Sequence, residues 1–137
     1  MHVPGLRSDR ETVGGLVFFG RMLDKIRLHA AGMLPGDYHR GIGFDGRICR
    51  FLEVPYESVV KKALEDRDDA EVLEWCYANG RRRSEEEVTI FSGFLSKRGW
   101  NDDASVELQE AKMKLGFGDR DDIQTFFDLH DADEGRK

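Results

Sequence analysis

The first helical pattern of the chain carries two opposite charges on an apolar face. At helical spacing Asp24 lies on the side occupied by Leu16 and Leu23, and Arg27 follows one turn later on the same side. Ionised side chains rarely occupy such a face unless they are paired or functional. As a site, Asp24 could act as a general base while Arg27 holds an anion. As structure, the two charges could form a buried ion pair that links helices.

A glycine-rich segment follows that helix. Residues 33–43 form the longest irregular stretch, and loops of this length are often functional. They contain His39, the second candidate catalytic residue, because a loop histidine is free to face a pocket. Residues 41–46 match G-x-G-x-x-G, but no strand precedes them, so no dinucleotide site is predicted. The glycines either lead into a helix N-terminus that binds phosphate or carboxylate beside Arg47 and Arg50, or form a flexible connector.

Basic residues recur every four positions along the first helix, at Arg21, Lys25 and His29. This stripe is either a solvated face or a row of anion contacts. The predicted ligand-binding residues are Arg21, Arg27, Arg47 and Arg50. His130 follows an apolar face near the C-terminus, which favours a hydrogen-bonded core histidine over the alternative of a ligand or a base. No Cys and His spacing indicates a metal site, and the sequence identifies no cofactor.

Helical patterns cover nearly the whole chain and predict an all-α, compact single-domain bundle of about seven helices. The first is predicted over residues 8–31, from a capping box at Ser8 and Glu11 to a stop at Gly32. At 1.5 Å per residue it would be roughly 35 Å long and would form the centre of the bundle. The other helices are predicted at about 45–52, 55–64, 68–78, 85–98, 104–115 and 119–130. No convincing strand is found.

Size and charge limit the classes of function. A chain of 137 residues with 39% hydrophobic and 35% charged residues fits one globular domain, 1–137. Residues 1–67 carry 11 Lys and Arg against 9 Asp and Glu, whereas 68–137 carry 10 against 18. This balance argues against nucleic-acid binding, which needs a broad basic surface. Residues 131–137 are expected to form an acidic, flexible, solvated tail.

Two features of the sequence predict the cellular compartment, which we expect to be the cytoplasm. Cys49 and Cys76 stand alone, as free thiols do in a reducing cytoplasm. The longest apolar run, Leu16 to Phe19, is far too short to cross a bilayer, so no membrane association is expected.

Several segments resemble a known family over nearly the whole chain. They are Val3–Ser8, Gly14–Leu16, Gly20–Arg27, Lys97–Trp100 and Gly118–Asp122. They are similar to a bacterial group described as domain of unknown function 5069. The resemblance implies single-domain membership and carries no catalytic residue, cofactor or substrate.

Two functional hypotheses follow from the residues. The first is a small helical domain that binds a small anionic or polar ligand, with or without catalysis, between the first helix and residues 33–50. The second is a non-catalytic adaptor or regulatory domain whose acidic half meets a basic protein partner. A homo-oligomer is a further open alternative. A closed concavity with convergent side chains would favour the first, and a flat apolar patch the second.

Overall fold

The computed structural model describes all 137 residues, Met1–Lys137, as seven α-helices and one short hairpin. The helices are α1 Phe19–Ala30, α2 Phe44–Leu52, α3 Tyr56–Ala63, α4 Asp69–Asn79, α5 Glu85–Lys97, α6 Ser105–Lys114 and α7 Phe126–Asp133. Antiparallel strands β1 Thr12–Val13 and β2 Leu16–Val17 precede them. The mostly helical architecture confirms the predicted fold class. None of the helices is long and apolar enough to span a bilayer.

The long first helix predicted over residues 8–31 is wrong, because α1 begins only at Phe19. Gly14 and Gly15 have φ angles of 56° and 81° and form the two-residue turn between β1 and β2. Consecutive left-handed residues make a tight hairpin turn that only small or flexible residues accept readily. A side chain at Gly14 would also come within 2.8 Å of Leu73. The glycines therefore favour a hairpin where the apolar spacing indicates a helix.

Local capping explains where the later helices begin. Ser84 and Glu87 form the predicted capping box at the start of α5, each satisfying a backbone donor of the other. At α7 the Thr125 side chain accepts a hydrogen bond from the backbone of Asp128. Because this cap fixes the first turn, α7 begins directly after Thr125, whereas the periodicity predicts a start at Asp119.

The main core lies beneath α1, which packs on α2 and α3, while α5 packs on β2 and α7. Phe19, Met22 and Leu23 of α1 are fully buried. Burying a side chain of this size stabilises the fold by about 1.5–3 kcal/mol. Phe127 stacks on Phe18 at a centroid separation of 6.3 Å, which holds α7 against the start of α1. This contact brings the two ends of the chain together at one side of the molecule.

Candidate functional site

A cavity of about 400 Å³ opens between the start of α1, the loop 33–43, α2 and α7. It lies where the sequence predicts a ligand pocket, and α7 adds a wall that the prediction did not include. Three phenylalanines form its apolar part, Phe18, Phe44 and Phe126. Five polar residues contribute the groups described below, Arg21, Lys25, Tyr38, His130 and Glu134. Apolar walls with a few convergent polar groups are typical of small-molecule sites.

His130 and Asp9 form a hydrogen-bonded dyad at the edge of this cavity. Nδ1 of His130 lies 2.5 Å from Oδ2 of Asp9, and the Asp9 side chain is completely buried. The His130 side chain is 31% exposed, and its Nε2 makes no hydrogen bond within the protein. A carboxylate that accepts Nδ1–H selects the tautomer in which Nε2 carries the free lone pair. His130 can therefore present a proton acceptor to the cavity.

Arg21 holds the carboxylate of this dyad from the other side. Its Nε lies 3.1 Å from Oδ1 of Asp9, an ionic contact without hydrogen-bond alignment. The same guanidinium donates to both oxygens of Glu134, at 2.8 and 2.6 Å. Tyr38 donates its hydroxyl to Glu134 at 2.9 Å. Asp9 is thus fixed by a buried network that joins α1 to the end of α7.

Burial and pairing perturb the acidities in this network. Burial opposes ionisation of Glu134, but its hydrogen bonds with Arg21 outweigh that effect and lower its pKa to about 2. Burial also works against the charge on Arg21, yet Glu134 raises the pKa of Arg21 above its ordinary value. The pKa of Tyr38 is raised by burial and by Glu134. Over the physiological pH range Arg21 therefore stays positively charged and Glu134 stays negatively charged.

Lys25 lies one turn after Arg21 and is also buried. Its Nζ contacts Asp45 at 3.0 Å and donates to the carbonyl oxygen of His39 at 2.8 Å. Burial lowers the pKa of Lys25, and Asp45 offsets this only in part. Arg21 and Lys25 do not belong to a solvated face, whereas His29 is exposed. The basic stripe is divided between the cavity and the surface.

Asp24 and Arg27 lie outside the cavity and do not contact each other. Asp24 accepts from Nε and a terminal nitrogen of Arg7, at 2.9 and 3.0 Å. Arg27 pairs with Asp69 at 2.6 Å, and Arg7 reaches the other oxygen of Asp69 at 2.7 Å. The four side chains form a partly exposed chain of ion pairs between the N-terminal segment, α1 and α4. The arrangement supports a structural role for both residues.

The remaining predicted site residues divide between two places. His39 and Arg47 line the cavity, whereas Arg50 lies at a separate shallow surface depression beside Tyr56. Arg47 has no carboxylate within 4.0 Å and rests over the ring of Phe94, 5.2 Å from its centroid. Of the predicted site residues, Arg21, His39 and Arg47 come together, and Asp24, Arg27 and Arg50 do not join them.

The predicted acidic tail differs from the structure. Residues 131–133 complete α7, and Asp131 and Glu134 are 8% and 2% exposed. Asp131 accepts from the hydroxyl of Ser8 at 2.8 Å. Arg136 donates to the carbonyl oxygen of Leu6 at 2.5 Å. These acidic side chains are partners of buried or N-terminal groups, so composition alone gives the wrong environment for them.

The dyad is the part of the site that sequence reasoning missed. Its two residues lie 121 positions apart, and no motif spacing connects them. The backbone gives one local indication of a site here, because Phe18, which lines the cavity, has a φ of 67°. A bulky residue in the left-handed region is strained, and such strain concentrates at functional sites.

The chain belongs to a family whose function is not assigned. It matches the family described as Domain of unknown function (DUF5069) over residues 3–136. No curated protein sequence matches it significantly. No group of three or more His, Cys, Asp or Glu side chains is placed to hold a metal ion.

Proposed function

We propose that the cavity binds a small polar or charged molecule and that His130 transfers a proton to or from it. Asp9 is the positioning residue that fixes the orientation and the tautomer of the imidazole. The observation that carries the proposal is the 2.5 Å contact between the two side chains, combined with an Nε2 atom that has no partner in the protein. A histidine at the edge of a cavity can exchange protons near neutral pH.

The side chains at the cavity favour proton transfer over attack by a hydroxyl or thiol. No serine, threonine or cysteine lines it. Cys49 and Cys76 belong to the core, where burial raises the pKa of their thiols to about 11 and about 12. Neither thiol supplies a nucleophilic thiolate at neutral pH. General acid–base action on a bound molecule, or on water beside it, is the chemistry that His130 and Asp9 support best.

The shape of the cavity also bears on the alternative of a non-catalytic adaptor. Arg21, Lys25, Tyr38 and His130 line one concavity, the first three held in place by bonds to protein groups. A concavity lined by several polar side chains is expected of a ligand site and is not typical of a flat protein interface. It supports the ligand-binding hypothesis.

A panel of small carboxylates, amines, amino acids and phosphate esters in D₂O, followed by proton NMR, tests the proposal. Exchange of a carbon-bound proton or a new product signal reports proton transfer or hydrolysis. For any reactive compound, His130→Gln should lower the rate by about 10²–10⁴-fold, the usual contribution of a general base. Asp9→Asn should also lower it, because an asparagine amide does not hold the imidazole in the tautomer with a free Nε2 lone pair.

The matched control is His29→Gln, which removes an exposed histidine of α1 outside the cavity. It should leave the rate unchanged. Circular dichroism and thermal melts establish that each variant is folded. A compound that is converted equally fast by wild type and folded His130→Gln would refute the assignment of His130.

A further inference from the structure

We infer that the ligand of this cavity is a zwitterion, an α-amino acid with an apolar side chain or a close derivative of one. The inference rests on the proposed function because it places the ligand beside the His130–Asp9 dyad. It goes further by deriving the charges of the ligand from the charged side chains that the protein leaves without partners.

Most cations around the cavity are already neutralised by carboxylates of the protein. The pairs are Arg21 with Glu134, Lys25 with Asp45, and Arg98 with Asp103. Arg47 is the exception, since no carboxylate lies within 4.0 Å of it. Its guanidinium is planar and rests on the Phe94 ring at 5.2 Å. A guanidinium held in this way is suited to bidentate recognition of a carboxylate.

Three carboxylates around the cavity are unpaired as well, Asp37, Glu107 and Asp133. None of these carboxylates forms an ion pair with a lysine, an arginine or the N-terminal ammonium, although that ammonium donates to the backbone carbonyl oxygen of Asp133. Asp133 is partly buried, whereas Asp37 and Glu107 are exposed, so a charge near Asp133 is the least screened by water. A purely anionic ligand would meet more unpaired negative charge than positive. A ligand with an ammonium group and a carboxylate matches both signs.

The lining of the same cavity also includes three aromatic rings, those of Phe18, Phe44 and Phe126. The ring centroids of Phe18 and Phe44 are 5.3 Å apart in an edge arrangement, and those of Phe44 and Phe126 are 6.4 Å apart. Rings placed in this way accept another flat or branched apolar group at their faces and edges. A volume of about 400 Å³ admits a molecule of amino-acid size with room for water.

Three probes with the same phenyl ring separate the contributions of the two charges. They are L-phenylalanine, 3-phenylpropionate, which lacks the ammonium group, and 2-phenylethylamine, which lacks the carboxylate. Affinities are measured by titration calorimetry or NMR shift titration on the full chain. L-Phenylalanine should bind at least about tenfold more tightly than either analogue, because each lost charge leaves one unpaired partner in the cavity.

Two variants assign the charges to side chains. Arg47→Gln should weaken binding of the two carboxylates by about tenfold and leave 2-phenylethylamine unchanged. Asp133→Asn should weaken the two amines by a similar factor and leave 3-phenylpropionate unchanged. Arg40→Gln is the matched control, since Arg40 is also unpaired but does not line the cavity.

The inference is overturned if 3-phenylpropionate binds as tightly as L-phenylalanine, or if none of the three probes binds at millimolar concentration. It is also overturned if both variants weaken all three probes equally. These results do not affect the proposed function, which fails only if His130→Gln leaves a panel reaction unchanged. A panel compound that reacts through His130 while the three probes do not bind would separate the two outcomes.

Discussion

Glu134 is the residue whose neutralisation should damage the fold most specifically. Its side chain is 2% exposed, and its carboxylate accepts from Arg21 at 2.8 and 2.6 Å and from Tyr38 at 2.9 Å. Glu134→Gln preserves the shape but leaves the buried Arg21 cation with only Asp9 as an anionic neighbour. Removing one partner of a buried ion pair costs about 3–5 kcal/mol of unfolding free energy.

The lowered pKa of Glu134 also predicts a pH dependence of stability for the same interaction. The pKa of Glu134 falls from its ordinary value of 4.5 to about 2 in the folded protein, because Arg21 outweighs the effect of burial. A depression of this size corresponds to about 3 kcal/mol of stability at neutral pH. Since the folded state holds its proton more weakly, this stability is fully present above about pH 4.5 and is lost as pH falls towards 2.

Urea denaturation followed by tryptophan fluorescence measures the effect at pH 7 and in steps down to about pH 3. The difference between wild type and Glu134→Gln should be largest at neutral pH and should shrink below about pH 4.5. Glu53→Gln is the control, since Glu53 is 53% exposed and lies 3.5 Å from Arg81. It should change stability by less than about 0.5 kcal/mol. A Glu134→Gln loss below about 1 kcal/mol, or one independent of pH, would refute the reasoning.

Three further substitutions or reactions test other parts of the structure. Asp24→Asn should lower the unfolding free energy by about 1–3 kcal/mol, because it weakens the charge-assisted hydrogen bonds from Arg7. It should leave ligand affinity in the titrations above unchanged. A changed affinity would show that Asp24 belongs to the ligand site. Gly80→Ala should cost about 2–3 kcal/mol in urea melts because its Cβ would collide with a backbone carbonyl, whereas Gly36→Ala, which meets nothing within 4 Å, should not. Cys49 and Cys76 should react with a disulfide reagent at about pH 8 only after denaturation, since burial raises the pKa of both thiols; rapid labelling of the folded protein would contradict their burial.

The sequence predicts the helices that begin with a clear local signal. α5 has a capping box at Ser84 and Glu87 and an apolar stripe, and the structure has both. The predicted first helix begins too early because Leu16 and Val17 fit a helical face as well as a strand. The deciding feature is the glycine pair at positions 14 and 15, whose left-handed φ angles close a hairpin. Apolar periodicity over so short a segment does not separate the two structures.

The site could be predicted only in part. Glycines and basic residues indicate the loop and the start of α2, and His39 and Arg47 line the cavity. Asp9 and His130 meet only because the two ends of the chain pack together. A tertiary contact of this kind has no characteristic residue spacing by which the sequence could reveal it. Composition predicts a solvated tail around Glu134, because it gives the charge of a segment but not the groups that pair with that charge. Its buried partner, Arg21, lies 113 positions earlier.

Nitrogen-15 NMR of the histidine rings tests the central claim, that Asp9 holds His130 in the tautomer with an unprotonated Nε2 at the cavity. The His130 signals are assigned by their loss in His130→Gln. At about pH 8, where an ordinary imidazole is neutral, the dyad predicts a proton on Nδ1 and none on Nε2, and Asp9→Asn should abolish that preference. A predominant Nε2–H tautomer in the wild-type protein, unchanged by Asp9→Asn, would contradict the account.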